Sequence, residues 1–196
     1  MSKLFSPISP YSSSLIKVNK IHSLYVEESG NKSGFPVIFF HGGPGSSTNP
    51  DHRRYFDPKF YRIILFDQRG CGQSMPSGEI KENTSPFLVE DIFFLKKKLG
   101  IKNCLLFGGS WGSTLAIAYA QTHPENCLGL VIRGIFLGRA SEINWFLYGI
   151  KRVFPEAWRN FVSALPVGER VDILRNFHRR LLDPDPAIYL PAARAW

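Results

Sequence analysis

Continuous apolar runs alternate with helix-like stretches between residues 37 and 132. Val37 to Phe40 and Ile63 to Phe66 are apolar at every position, as expected of strands buried on both faces of a parallel sheet. Asn103 to Phe107 and Leu128 to Ile132 supply two more short apolar runs of the same kind. Between them Leu88, Ile92, Leu95 and Leu99 recur at three- or four-residue spacing, which predicts a helix opened by Ser85 as N-cap and Pro86 at the first helical position, and closed by Gly100. Thr114 to Gln121, rich in Ala and Leu and followed by Pro124, reads as a second helix. Upstream, Leu15 to Val18 and Ile21 to Glu27 are two β-like stretches before the turn-forming Ser29-Gly30-Asn31. The alternation predicts an α/β fold built on a mostly parallel, doubly wound sheet.

After residue 140 the strand-like runs stop. Helical segments rich in Trp, Phe, Pro and Arg take over: Ile143 to Val153, Pro155 to Ala164, Val171 to Leu182, and a further start at Pro186. Residues 1–140 and 141–196 are therefore read as two parts of different construction. The Ser/Pro-rich first 14 residues read as a loosely held arm.

Composition changes this picture little. The chain is 196 residues long, 44% hydrophobic and 14% aromatic, enough for one sizeable core. A net charge of +8 raises the possibility of an anionic partner. Its densest clusters, Lys96 to Lys98 and Arg175 with Arg179 and Arg180, sit in the two helical patterns carrying Leu88, Ile92, Leu95 and Leu99, and Leu174, Phe177 and Leu181. Solvated helix faces explain them, so nucleic acid is not expected. No signal-peptide pattern and no membrane-length apolar run is present, which points to the cytoplasm. Cys71, Cys104 and Cys127 form no CxxC pair and are read as reduced thiols, with no metal site expected.

Three glycine-rich loops each follow an apolar run: HGGPG at 41–45, DQRGCGQS at 67–74, and GGSWGS at 108–113. The last contains GxSxG around Ser110. A serine on a tight strand-to-helix turn needs glycine two residues before and two after, and Gly108 and Gly112 meet that need. GxSxG alone would occur by chance in roughly 0.06 of chains this long. The strand before it and the helix after it give the motif its weight, and make Ser110 a candidate nucleophile. Acyl transfer also needs two backbone N–H donors aimed at the developing oxyanion. Trp111, the residue after the nucleophile, is one, and Gly43 of the HGGPG loop is preferred for the other, with Gly42 its close competitor. His41 is read as holding that loop, and Asp67 with Arg69 as a charge pair fixing a neighbouring one. Downstream of Ser110 only His123 and His178 remain as histidines, one at a helix end and one in an Arg-flanked helix. Neither reads as a general base, and Asp172, Asp183 and Asp185 read as helix caps.

HGGPG, DQRGCGQS, GGSWGSTLAIAYAQTHPE at 108–125, RGIFLGR at 133–139 and AARAW at 192–196 together resemble the proline iminopeptidase (prolyl aminopeptidase) family of α/β-hydrolase serine peptidases. The resemblance implies a cytoplasmic enzyme, without metal or cofactor, that releases N-terminal proline from peptides. It also implies Ser110 as nucleophile, Gly43 and Trp111 as oxyanion hole, residues 1–140 as the N-terminal part of the hydrolase core and 141–196 as the start of a helical cap. Family members run on beyond this length, so the chain reads as an N-terminal part lacking the triad Asp and His, inactive alone. The alternatives are an esterase acting on a small acyl substrate and a non-catalytic remnant that binds a partner.

Overall fold

The computed structural model describes residues 4–196. They form two compact units, the first ending at Leu137 and the second spanning Gly138–Trp196. In the first unit six strands, β1 (Ser12–Lys17), β2 (Ser23–Gly30), β3 (Phe35–Phe40), β4 (Tyr61–Phe66), β5 (Cys104–Gly109) and β6 (Cys127–Arg133), make one sheet in the order β1-β2-β4-β3-β5-β6. The ladders from β4 through β6 are parallel, and those joining β1 to β2 and β2 to β4 are antiparallel.

The apolar runs earn their continuity by serving two cores. Ile38, Phe40, Ile64 and Phe66 face a cluster with Leu88, Val89, Ile92 and Leu95 of α1 (Ser85–Lys98) and Leu115, Ala116 and Tyr119 of α2 (Trp111–Thr122). The alternate residues Val37, Phe39, Ile63 and Leu65 face Phe56 and Tyr55, with Ile8 of the N-terminal arm. Successive side chains on a strand point to opposite faces, so a strand covered on both sides must be apolar throughout. A 3₁₀ turn at Pro50–Tyr55, capped by Asn49, is what covers this second face.

Several local expectations are corrected. The N-cap of α1 is Thr84, with Ser85 as its first residue, because Thr84 keeps an extended backbone while Ser85 is already helical. α2 begins at Trp111, three residues earlier than Ala/Leu content suggested, since the helix starts directly from the turn at Ser110. Lys96 is not on a solvated face. It is 1% exposed and donates from Nζ to the backbone and side-chain oxygens of Asn126, with burial pushing its pKa down. The arm is held: the Phe5 N–H donates to Arg54 O, Arg54 Nε returns a bond to Phe5 O, and Arg53 bonds Ile8 O while pairing with Glu27. Residues 1–3 of that arm lie outside the described residues.

The second unit is helical: α3 (Ala140–Asn144), α4 (Pro155–Ser163), α5 (Ile173–Leu181) and α6 (Pro186–Ala195). The segment read as one helix from Ile143 to Val153 is instead a short α3 running into a wider turn at Trp145–Gly149 and a tighter one at Ile150–Arg152. Its core is Leu147, Val162, Leu165, Ile173, Phe177 and Ala192. Asp172 and Asp185 cap α5 and α6 through the amides of Arg175 and Ala187. Arg179 and Arg180 share Glu169, and Leu174 is exposed rather than in the stripe. Among the described residues no helix is long and apolar enough to cross a membrane.

β6 forms one edge of the sheet, and its apolar side chains are open: Leu128, Leu130 and Val131 are 55%, 40% and 43% exposed. An edge of this kind templates pairing with another chain. The 196-residue chain is expected to self-associate, and light scattering after size exclusion should show species above the monomer. Replacing Leu128 and Val131 with Lys should shift the distribution toward monomer; a monodisperse parent chain would contradict this.

Candidate active site

Three loops leave the carboxyl ends of β3, β4 and β5, where ligands bind in open α/β sheets. The loop after β5 is a single residue. Ser110 joins the strand to α2 with φ +56° and ψ −125°, a left-handed conformation that costs a side-chain-bearing residue about 1–3 kcal/mol. The turn is possible because of the glycines flanking it. A Cβ on Gly108 would lie 2.2 Å from the Gly112 carbonyl oxygen, and one on Gly112 would lie 2.1 Å from the Phe40 oxygen. Both sequence-predicted glycines are thus required by close backbone approach. Ser110 is exposed, and the Ser113 hydroxyl donates back to the Ser110 carbonyl, securing the first turn of α2. The segment after β6 is tied to the same turn, through Thr114 Oγ1 and the Phe136 carbonyl and through the Phe136 N–H to Ser113 Oγ.

The HGGPG loop lies against the elbow, and a Cβ on Gly42 would be 3.4 Å from that of Ser110. Gly43 has φ +124°, and a Cβ there would meet the Gly45 nitrogen at 2.5 Å, so only glycine fits. His41 fixes the loop as expected. The Gln68 N–H donates to His41 Nε2 at 3.0 Å, which leaves the ring neutral with its proton on Nδ1, and Nδ1–H donates to the Gly42 carbonyl at 2.9 Å. Burial holds the ring below the ordinary His pKa, opposed in part by the Gly42 bond. Since the carbonyl of Gly42 and the amide of Gly43 belong to one trans peptide and point opposite ways, the Gly43 N–H faces away from the His41 ring.

The loop after β4 is built differently from expectation. Arg69 does not pair with Asp67. It forms a bidentate pair with Asp91 of α1 at 2.6 and 2.7 Å, both side chains 3% exposed, and reaches the Glu82 carbonyl. The Asp91 pKa still sits above the ordinary carboxylate value, because burial outweighs the guanidinium. Asp67 instead accepts from Thr48 N–H, the Thr48 hydroxyl and Gln73 N–H. An aspartate followed by an arginine two residues on could not reveal that the partner lies on a helix 22 residues away.

His52 was not singled out from sequence, yet it lines a cavity of about 220 Å³ together with Gly42, Ser46, Ser110 and Arg133. It serves the capping box of the 50–55 turn: its Nδ1 accepts from the Asn49 N–H, and its Nε2 lies 3.1 Å from the Asn49 side-chain Nδ2, so both ring nitrogens are engaged by Asn49. Neither nitrogen is then free to take a proton from Ser110. His22 is buried against the Lys81 carbonyl, and His123 stacks on Phe93 at the C-terminal end of α2. His178 is exposed on α5. A larger cavity of about 480 Å³ is lined by Pro44, Gln68, Cys71, Glu79, Asn83 and Trp111 among others. Cys71 is buried and its thiol is pushed up by burial, the profile of a structural cysteine.

A six-stranded, mostly parallel sheet with a serine elbow at the end of one strand and a glycine loop at the end of its neighbour defines a hydrolase architecture. Comparison with known proteins agrees. The family model for the alpha/beta hydrolase fold matches residues 36–191. The chain belongs to the α/β-hydrolase family.

Curated relatives narrow the likeness. Over 197 aligned residues the chain is 50% identical to a protein named probable proline iminopeptidase from Leptolyngbya boryana, covering 100% of this chain and 61% of that one. It is 52% identical to the proline iminopeptidase of Arabidopsis thaliana, covering 98% of this chain and 51% of that one. The chain therefore spans between half and two thirds of these relatives' length. Among solved structures, a proline iminopeptidase-related protein from Thermus thermophilus aligns at 22% identity with TM-score 0.61, covering 93% of this chain and 65% of that one. A Vigna radiata epoxide hydrolase variant aligns at 21% identity with TM-score 0.59, covering 86% and 54%. At such identities the two structures speak to fold alone.

Gly112→Ala should abolish soluble expression, since the Phe40 carbonyl belongs to a central strand that cannot yield. Gly168→Ala, with nothing within 4 Å of the new methyl, should express at the parental level. Equal yields for the two would refute the close-approach account. The His41 ring should titrate below 6.5, the ordinary His value. Because the folded state refuses a proton that the unfolded chain accepts, its contribution to stability is full above 6.5 and declines as pH falls below it. A midpoint at or above 6.5 in an NMR titration would contradict that environment.

Proposed function

We propose that this chain is the nucleophile-bearing part of a cytoplasmic serine aminopeptidase that releases N-terminal proline from peptides. The observation that carries the proposal is the elbow: Ser110 stands exposed in a left-handed conformation between β5 and α2, in a chain about 50% identical to proteins named proline iminopeptidase. Ser110 Oγ attacks the prolyl carbonyl. The Trp111 amide, at the N-terminus of α2 with no intrahelical partner, and the Gly43 amide receive the oxyanion. The His41 bond to the Gly42 carbonyl fixes the Gly42–Gly43 peptide and with it the direction of the Gly43 N–H, which is taken as the donor. A serine at 110 sets the chemistry apart from that of the epoxide hydrolases sharing the fold, for which an aspartate nucleophile is expected. The three free cysteines suit a reducing compartment. Residues 141–196 are proposed as the start of a helical cap.

None of the histidines in the first unit is placed to serve Ser110 as general base. We assign the base and its carboxylate to residues beyond this sequence, a reading supported by relatives that are longer than this chain. The test is a chimera joining the chain, in register, to the C-terminal remainder of the Leptolyngbya boryana relative. It should hydrolyse prolyl arylamide in preference to alanyl and leucyl arylamides. A preference for a short-chain acyl ester would move the assignment to an esterase. Ser110→Ala in the chimera should lower kcat by at least roughly 10³-fold with unchanged circular dichroism, and retained turnover would remove Ser110 from the mechanism. The 196-residue chain alone should show no turnover above the Ser110→Ala background.

A further inference from the structure

One side chain bonds both of the loops that carry the two proposed oxyanion donors. Gln68, 2% exposed, lies just after β4, between the HGGPG loop and the elbow. Its Nε2 donates to the His41 carbonyl at 2.9 Å, and its Oε1 accepts from the Trp111 indole Nε1 at 2.9 Å. An indole N–H can only donate and a carbonyl can only accept, so the amide has one satisfactory orientation. The Gln68 backbone adds a third tie through the His41 ring, which in turn holds the Gly42 carbonyl.

We infer that Gln68 is a positioning residue that sets the distance and direction between the Gly43 and Trp111 amides. The inference rests on Ser110 being the nucleophile, and goes beyond it by placing control of the oxyanion hole in a side chain that does not touch substrate. On one side the Gln68 side chain fixes the His41–Gly42 peptide, the neighbour of the one that carries the Gly43 N–H, while its backbone N–H holds the His41 ring that bonds the Gly42 carbonyl. On the other it fixes the residue whose own backbone supplies the second donor. The glutamine amide supplies the acceptor and the donor together from one neutral, planar group. Methionine matches the length and loses both bonds, while Trp111→Phe loses only the indole bond and keeps an aromatic ring.

A merely structural role would lower thermal stability and leave the chemistry of the folded enzyme alone. Positioning predicts the reverse weighting. In the chimera, Gln68→Met should slow fluorophosphonate labelling of Ser110, and lower kcat on prolyl arylamide, by about 10- to 100-fold, the scale of a misplaced catalytic group. KM should stay within about twofold. Trp111→Phe should give a smaller loss of the same kind, and the double variant should be no slower than Gln68→Met, since both act through one bridge. If Gln68→Met does not fold, Trp111→Phe decides: an unchanged labelling rate overturns the proposal. It is equally overturned if Gln68→Met labels within twofold of the parent, or if the two losses multiply.

Fluorophosphonate needs the base-activated nucleophile and the oxyanion hole but no prolyl side of the pocket, so the arms separate. A parent that is labelled at Ser110 but does not turn over prolyl substrates sinks the substrate assignment, while labelling rates still judge Gln68. A parent not labelled at Ser110 sinks both.

Discussion

Between Gly112 and the carbonyl of Phe40 there is no room for a side chain: a Cβ at 112 would sit 2.1 Å from that oxygen. This backbone approach sets the start of α2 against the end of β3, and much else is arranged around it. It brings the elbow beside the glycine loop that continues β3. It forces Ser110, the only residue between β5 and α2, into a left-handed conformation, and that strain is held by the ladders on either side of β5. It also sets the N-terminus of α2 at the carboxyl end of the sheet, where negative charge is favoured by the helix dipole.

Holding loops at such a turn requires polar groups in a dry place, and the residues after β4 meet that demand by pairing. Asp67, Gln68 and Arg69, three consecutive buried polar residues, each serve a different partner: the 47–49 segment, the HGGPG loop with the elbow, and α1. The Arg69–Asp91 pair illustrates the cost. Burial raises the Asp91 pKa despite a bidentate guanidinium, so the ion pair is held against desolvation rather than giving stability freely. Such a pair contributes position more than energy. It fixes the loop from which Gln68 reaches both sides of the elbow.

Sequence pattern exposed those features that depend on period or on local stereochemistry. Strands β3 and β4 are legible because double-faced burial makes them apolar at every position, and the elbow because close backbone approach admits only glycine at 108 and 112. The 70s loop and the lysine at 96 were misread for a common reason. Arg69 beside Asp67, and Lys96 beside Lys97 and Lys98, look paired or solvated along the chain, while their actual partners, Asp91 and Asn126, come from other elements. His52 escaped notice because its place in the Ser110 cavity depends on how the 50–55 turn packs on Phe39, and no local motif marks that. The helical unit was legible as helices and less so in their internal breaks, since the wider turn at Trp145–Gly149 follows from packing of Leu147 and Trp158 rather than from any Pro within it.

Serine hydrolysis has two separable halves, one that activates the nucleophile and one that stabilises charge on the oxygen of the substrate. On the proposed reading, the elbow, the oriented Gly42–Gly43 peptide, the Trp111 amide and the Gln68 bridge belong to the second half. In the first unit, His41 and His52 lie near the elbow and each accepts a backbone N–H on a ring nitrogen. That occupation has its own logic. A neutral ring locked as an acceptor holds a loop without competing for the serine proton, so a histidine one loop away from the nucleophile stays structural. The same fold in epoxide hydrolases shows that the sheet does not choose the reaction. On the proposed reading, what chooses it in this chain is the hydroxyl at 110, together with how firmly the two amides beside it are aimed.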